Sequence, residues 1–193
     1  RFGVNINIAK QTAAGAVFGP RIIASGEWFQ YPGTWPAGLT RTTETPEELL
    51  LGIQDMIQRG AGLIKVGATG FRPDGAQFPS MSREALDAAV RAAHDAGLKI
   101  AAHCHGFEGP LLAVEAGIDS IEHGTYVDEP TVRLMAEKGT YMVPTMSTWD
   151  ARERLAIQAG LSKDQMADVY DRKENSIASF KRALQAGVII ATG

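Results

Sequence analysis

The sequence predicts an α/β protein with a parallel sheet and helical crossovers, built either as a barrel or as an open doubly wound sheet. Strand-like apolar runs alternate with amphipathic helix-like runs about six times along the chain. Glycine stands at nearly every helix exit, as at Gly60, Gly97, Gly117, Gly139 and Gly187. No G-x-G-x-x-G follows a strand, which weakens the dinucleotide-binding form of the open sheet. Neither a P-loop nor a G-x-S-x-G elbow occurs.

Taken in order, "INIAKQTAAG" (6–15) reads as a helix tail and "PRIIASG" (20–26) as a strand. "EWFQYPGTWPAGLTRT" (27–42) reads as a long loop whose aromatics either line a pocket or pack the loop itself. A helix opens at Thr45, with Pro46 at its first position and Glu48 placed to complete a capping box. Leu49, Ile53, Met56 and Ile57 form its apolar stripe. "LIKVGATG" (63–70) is a short buried strand, and the helix after Ser82 carries Leu86, Ala89, Val90 and Ala93 on one face. "LKIAAH" (98–103), "IDSIEHG" (118–124) and "TYMVPTM" (140–146) are strands, separated by helices over 109–117 and 128–139. A long helix opens near Ser162 with Gln165 as its capping partner and stops at Gly187. "VIIATG" (188–193) is a last strand.

Strand side chains alternate between faces. Ile64 and Val66 therefore meet the helices and Lys65 points to the other side; Ile100, Ala102 and Cys104 take the helix face and Ala101, His103 and His105 the interior. Ile121 and His123 are assigned together to the interior. Lys65, His103 and His123 thus stand near the C-terminal ends of three successive strands, where parallel α/β folds build their sites. A lone buried histidine or strand-end lysine is ordinary, but desolvating all three side by side is costly unless they serve one site. Neutral imidazoles are good ligands for zinc-type metals. Cys104 reads as a small hydrophobe and His94, on a helix beside Asp95, as a surface residue.

Composition sets the outer bounds. The chain has 193 residues, 45% hydrophobic and 21% charged, which suits one domain over 1–193 with a sizeable core. A net charge of −3 provides no basic field for nucleic acid and no polybasic patch for a membrane. No apolar run approaches the roughly 20 residues of a membrane helix. The single cysteine excludes an intrachain disulfide and leans toward a reducing, cytoplasmic compartment. A homo-oligomer is compatible with all of this.

The segments "PGTW", "IKVGATG", "AAHDAGLKIAAHCHG", "AVEAGIDSIEHGTYVDE", "LMAEKGTYMVPT" and "GVIIATG" resemble the metal-dependent amidohydrolase superfamily, in its imidazolonepropionase-like and prolidase-like branch. The specific part is a Lys strand, then an H-x-H-G strand, then an I-E-H-G strand. The resemblance implies an incomplete (β/α)8 TIM-type barrel with about strands 3 to 8 present. It implies one or two divalent metals, most often zinc, with Lys65 as a bridging carbamate and His103 and His123 as ligands. His105, Tyr126 and Arg72 are the candidates for touching a small-molecule substrate that bears a carboxylate. The family's upstream H-x-H pair has no counterpart before Lys65, and its general-base Asp would fall just past "ATG". The chain alone is therefore expected to be catalytically incomplete. Two other readings remain: a barrel lyase or aldolase with Lys65 as Schiff-base nucleophile, and an inert fragment.

Overall fold

A computed structural model describes residues 4–33, 40–71 and 77–193. Its centre is a six-stranded sheet in the order β2-β1-β3-β6-β7-β8, with every pairing parallel. The strands are β1 (Trp28–Gln30), β2 (Arg41–Thr42), β3 (Leu63–Gly67), β6 (Lys99–Gly106), β7 (Ser120–Tyr126) and β8 (Tyr141–Val143). A small antiparallel pair, β4 (Thr69–Phe71) with β5 (Gln77–Pro79), lies beyond β3. The helices are α1 (Val4–Ala13), α2 (Pro46–Arg59), α3 (Arg83–Asp95), α4 (Glu108–Ala116), α5 (Glu129–Lys138), α6 (Ser147–Gln158) and α7 (Lys163–Gln185).

The expected helix signals act as physics requires. Thr45 accepts from the Glu48 N–H and Pro46 opens α2, while Ser162 and Gln165 form a full capping box on α7. Residues paired across a parallel ladder share a face. Val66 pairs with Ala102 and Ala102 with Ile121, and all three are buried in the core with Ile53 and Met56 of α2, Leu86 and Ala89 of α3, and Val132 and Met135 of α5. The opposite row runs Lys65–Ala101–Ser120, then Gly67–His103–Glu122, and none of these residues belongs to the core cluster. An apolar face toward helices and a polar face away from them suits a barrel wall, whereas a doubly wound sheet buries both faces.

Several expectations need correction. "PRIIASG" forms no strand: Ile22 packs on the core and Ala24 is buried within it, with one ladder-like bond from Gly62 N–H to the Ala24 carbonyl. The strand lies instead at Trp28–Gln30, inside the stretch read as loop. "LIKVGATG" is not one strand, because β3 stops at Gly67 and Thr69 pairs antiparallel with Pro79. α6 was invisible because its buried residues are only Trp149 and Ala156, too few for a stripe. "VIIATG" touches the sheet through a single bridge between Met142 and Ile190. Finally, Ile121 faces the helices and Glu122 the interior, the reverse of the expected parity.

Candidate metal centre

His103 and His105 reach the interior by plain alternation along β6, and both are buried. His123 arrives by another route. It pairs with Cys104, a helix-face residue, so a regular strand would point it into the core. Its φ of 72° instead places it in the left-handed region, and Gly124 follows at 58°. A left-handed non-glycine residue stores strain of order 1–3 kcal/mol that the surroundings must sustain. The twist turns the imidazole to the interior: ring centroids of His103 and His123 lie 4.6 Å apart, those of His103 and His105 4.6 Å, and those of His105 and His123 4.9 Å in a parallel stack.

Hydroxyls fix two of these rings. Nδ1 of His105 is hydrogen-bonded to the Thr125 hydroxyl at 2.8 Å, and Nδ1 of His123 to the Thr145 hydroxyl at 2.7 Å. Thr145 is itself left-handed, with φ 48°. Ser176 and Ser179 on α7 hold Thr125 in turn, through its hydroxyl and its carbonyl. With Nδ1 occupied, Nε2 is the nitrogen that each of these rings has left to offer.

Burial, more than any charge, keeps the rings neutral. It pushes His103 far below the ordinary imidazole range, His105 down to about 2 and His123 to about 4; the Arg152 charge adds to all three shifts, and Lys65 to those of His103 and His123. The ligand atoms of the three histidines lie within 4.8 Å of one another. Three neutral imidazoles, two of them oriented by hydroxyls, converge into a donor set that fits a divalent cation of zinc type. The surrounding cavity, of about 180 Å3, is lined by Trp28, Thr145, Thr148, Trp149 and Arg152 as well as the histidines.

The remaining candidates fall in different places. Lys65 sits one row nearer the strand starts, with Nζ 4.0 Å from Oε2 of Glu122, and burial lowers its pKa while Glu122 opposes the shift. Tyr126 donates to Asp171 at 2.7 Å and stacks on Phe107; it does not line the histidine cavity. Arg72 lies outside the described residues. Sequence reasoning missed Glu122, Thr145, Trp149 and Arg152. Glu122 was hidden by the parity error, and the other three by the unrecognised α6 and the turn before it.

Fold and site define an α/β-barrel protein with an imidazole cluster at its strand ends. The chain belongs to the amidohydrolase family, which it matches over residues 2–193. It is 30% identical to an ochratoxinase of Aspergillus niger, covering 99% of this chain and 45% of that protein. The crystal structure of A. niger ochratoxinase superposes with a TM-score of 0.88 at 28% identity, over 100% of this chain and 50% of the other. A prolidase complexed with N-methylphosphonate-L-proline gives 0.86 at 28%, over 100% and 52%. A Xaa-Pro dipeptidase with methionine in its active site gives 0.82 at 29%, over 100% and 52%. The chain thus spans about half the length of these relatives, and the incomplete barrel expected from the sequence is the fold they share with it.

Proposed function

We propose that the protein carrying this chain is a metal-dependent hydrolase of amide-type C–N bonds, acting on dipeptides or N-acyl amino acids. The observation that carries this reading is the cluster His103–His105–His123, three rings held neutral by burial and aimed at one another. The family match supports it, and so do relatives named as a prolidase, a Xaa-Pro dipeptidase and an ochratoxinase. A bound divalent ion, most simply zinc, supplies an acidified water and a polarised carbonyl.

The chain's own residues then have distinct tasks. His103 and His123 would hold the ion, and His105, at the same cluster, would either complete the set or touch substrate. Thr125 and Thr145 hold the rings that present Nε2. Lys65 would join as a carbamate, formed when its neutral amine, the form that burial favours, adds carbon dioxide and releases a proton to solvent. Trp28 and Trp149 wall the cavity and restrict water. No carboxylate lines that cavity among the described residues, so no proton relay is assigned to them.

The deciding experiment measures metal content and hydrolysis of alanyl-proline and N-acetyl amino acids, before and after chelation and re-addition of zinc. Loss and recovery of both together is the expected result. Activity that persists without metal, with borohydride trapping of a carbonyl compound on Lys65, would replace this reading with the Schiff-base one.

A further inference from the structure

We propose that His105 is a hydrogen-bond donor and not a metal ligand: the buried hydroxyls of Thr125 and Ser176 fix its proton on Nε2, which serves the carbonyl oxygen of the scissile amide. The proposal rests on the hydrolase reading above and assigns the one ring of the cluster whose task that reading leaves open.

A count of protons and acceptors carries it. Nδ1 of His105, the Thr125 hydroxyl and the Ser176 hydroxyl form a row, with contacts of 2.8 and 3.4 Å. The three residues are 5%, 0% and 2% exposed, so the row is sealed from water. Among the described residues neither hydroxyl has a further partner. Ser179, one turn of α7 onward, serves the backbone of Thr125 and Val127 and stays outside the row. A buried hydroxyl proton without an acceptor is costly.

Two arrangements are open to the row. In one, Ser176 donates to Thr125 and Thr125 donates to Nδ1 of His105, and both hydroxyl protons have acceptors. In the other, Nδ1–H donates to Thr125, Thr125 donates to Ser176, and the Ser176 proton is stranded. The first arrangement wins on that count. It makes Nδ1 the acceptor, so the single proton of the neutral ring sits on Nε2. A protonated Nε2 has no lone pair to give an ion.

His123 differs at the matching point. Its Nδ1 also meets a hydroxyl, that of Thr145 at 2.7 Å, but Thr145 is only half-buried and lines the cavity. The Thr145 proton can turn to water there, so Nδ1–H of His123 can donate to Thr145 and leave Nε2 bare for an ion. The ligand atoms of the three rings lie within 4.8 Å of one another. An N–H so close to His103 and His123 meets a carbonyl oxygen drawn to the cluster. A preorganised donor there stabilises the charge that grows on that oxygen during hydrolysis. Thr125 is then a positioning residue, acting through His105.

The test reads the tautomer directly, by long-range proton–nitrogen NMR of histidine-labelled protein carrying this chain, metal-free and loaded with NMR-active cadmium. His105→Gln assigns the signals. His105 should show a protonated Nε2 and a bare Nδ1 in both states, with cadmium coupling at His123 and none at His105. A proton on Nδ1, or cadmium coupling at Nε2 of His105, overturns the proposal. Substitutions add a second reading. His105→Gln, whose amide keeps an N–H near the Nε2 position, should retain metal and most of kcat for alanyl-proline. His105→Leu should retain metal and lose kcat about 100- to 1000-fold, the size of one lost donor. Loss of metal from folded His105→Gln overturns the proposal. Thr125→Val should lower kcat about 10- to 100-fold and Thr125→Ser should restore it; an unchanged kcat in Thr125→Val overturns the positioning role. If the unaltered protein leaves alanyl-proline intact, it is the hydrolase reading that has failed, and the spectra alone decide the tautomer.

Discussion

Thr145 shows how a single hydroxyl serves the site. Its left-handed backbone presents Oγ1 to Nδ1 of His123, which is equally left-handed. Thr145→Val keeps the shape and removes the bond, so His123 loses its orienting partner. Loss of such a partner weakens metal affinity about 10- to 100-fold, and titration against a competing chelator measures it; an unchanged affinity would remove Thr145 from the design. Lys65 makes the sharper case. Its interior position and low exposure suit a carbamate, whereas the pairing with Glu122 favours the ammonium. As a carbamate ligand, Lys65→Ala should lower metal content and activity together, and acetate or propionate should restore part of both by filling the vacated space. Full metal retention by elemental analysis would leave Lys65 as a plain partner of Glu122.

β7 carries the lesson at the scale of elements. Its first residues follow the ladder, with Ile121 in the apolar core and Glu122 turned to the interior. Ile121→Ala should destabilise by about 2–5 kcal/mol, the usual range for emptying a buried site of this size. Denaturant unfolding checks this, and a loss near zero would return Ile121 to the interior. Ser162→Ala, which breaks the capping box on α7, should cost about 1 kcal/mol. The sequence made α2, α3 and α7 legible because their caps and stripes are local signals. β6 was equally legible, since His103 and His105 obey simple alternation along a regular strand. The interior position of His123 was expected for the wrong reason: parity counts assume extended backbone, and its φ of 72° breaks that assumption. α6 left no trace because its polar face dominates, and Arg152 and Trp149 vanished with it.

Stability of the whole molecule should follow pH through the imidazole cluster. The folded pKa values of His105 and His123, about 2 and about 4, lie below the unfolded value near 6.5. Below that unfolded value the unfolded chain binds more protons, so the stability of the neutral rings is complete above it and drains away as pH falls. Each histidine contributes a slope of up to about 1.4 kcal/mol per pH unit. With metal removed by a chelator, Tm should drop between pH 7 and 5, and His123→Asn should make that drop shallower. A flat Tm over this window would mean that the rings are hydrated. Asp119 titrates in a different window. Burial opposes its ionisation, but hydrogen bonds from Lys99, His94 and the Ile100 N–H hold its carboxyl below the usual range, so its contribution is lost only in stronger acid.

The three non-glycine left-handed residues among those described, Phe107, His123 and Thr145, stand just past β6, inside β7 and just past β8. A protein engineer screening for heat resistance alone would meet them first, because glycine relieves such strain at each position. Two of the three replacements would dismantle the imidazole cluster, His123→Gly by deleting a ring and Thr145→Gly by freeing one. Thermostable variants selected without an activity screen should therefore collect glycine at 123 and 145 and emerge sturdier but inert.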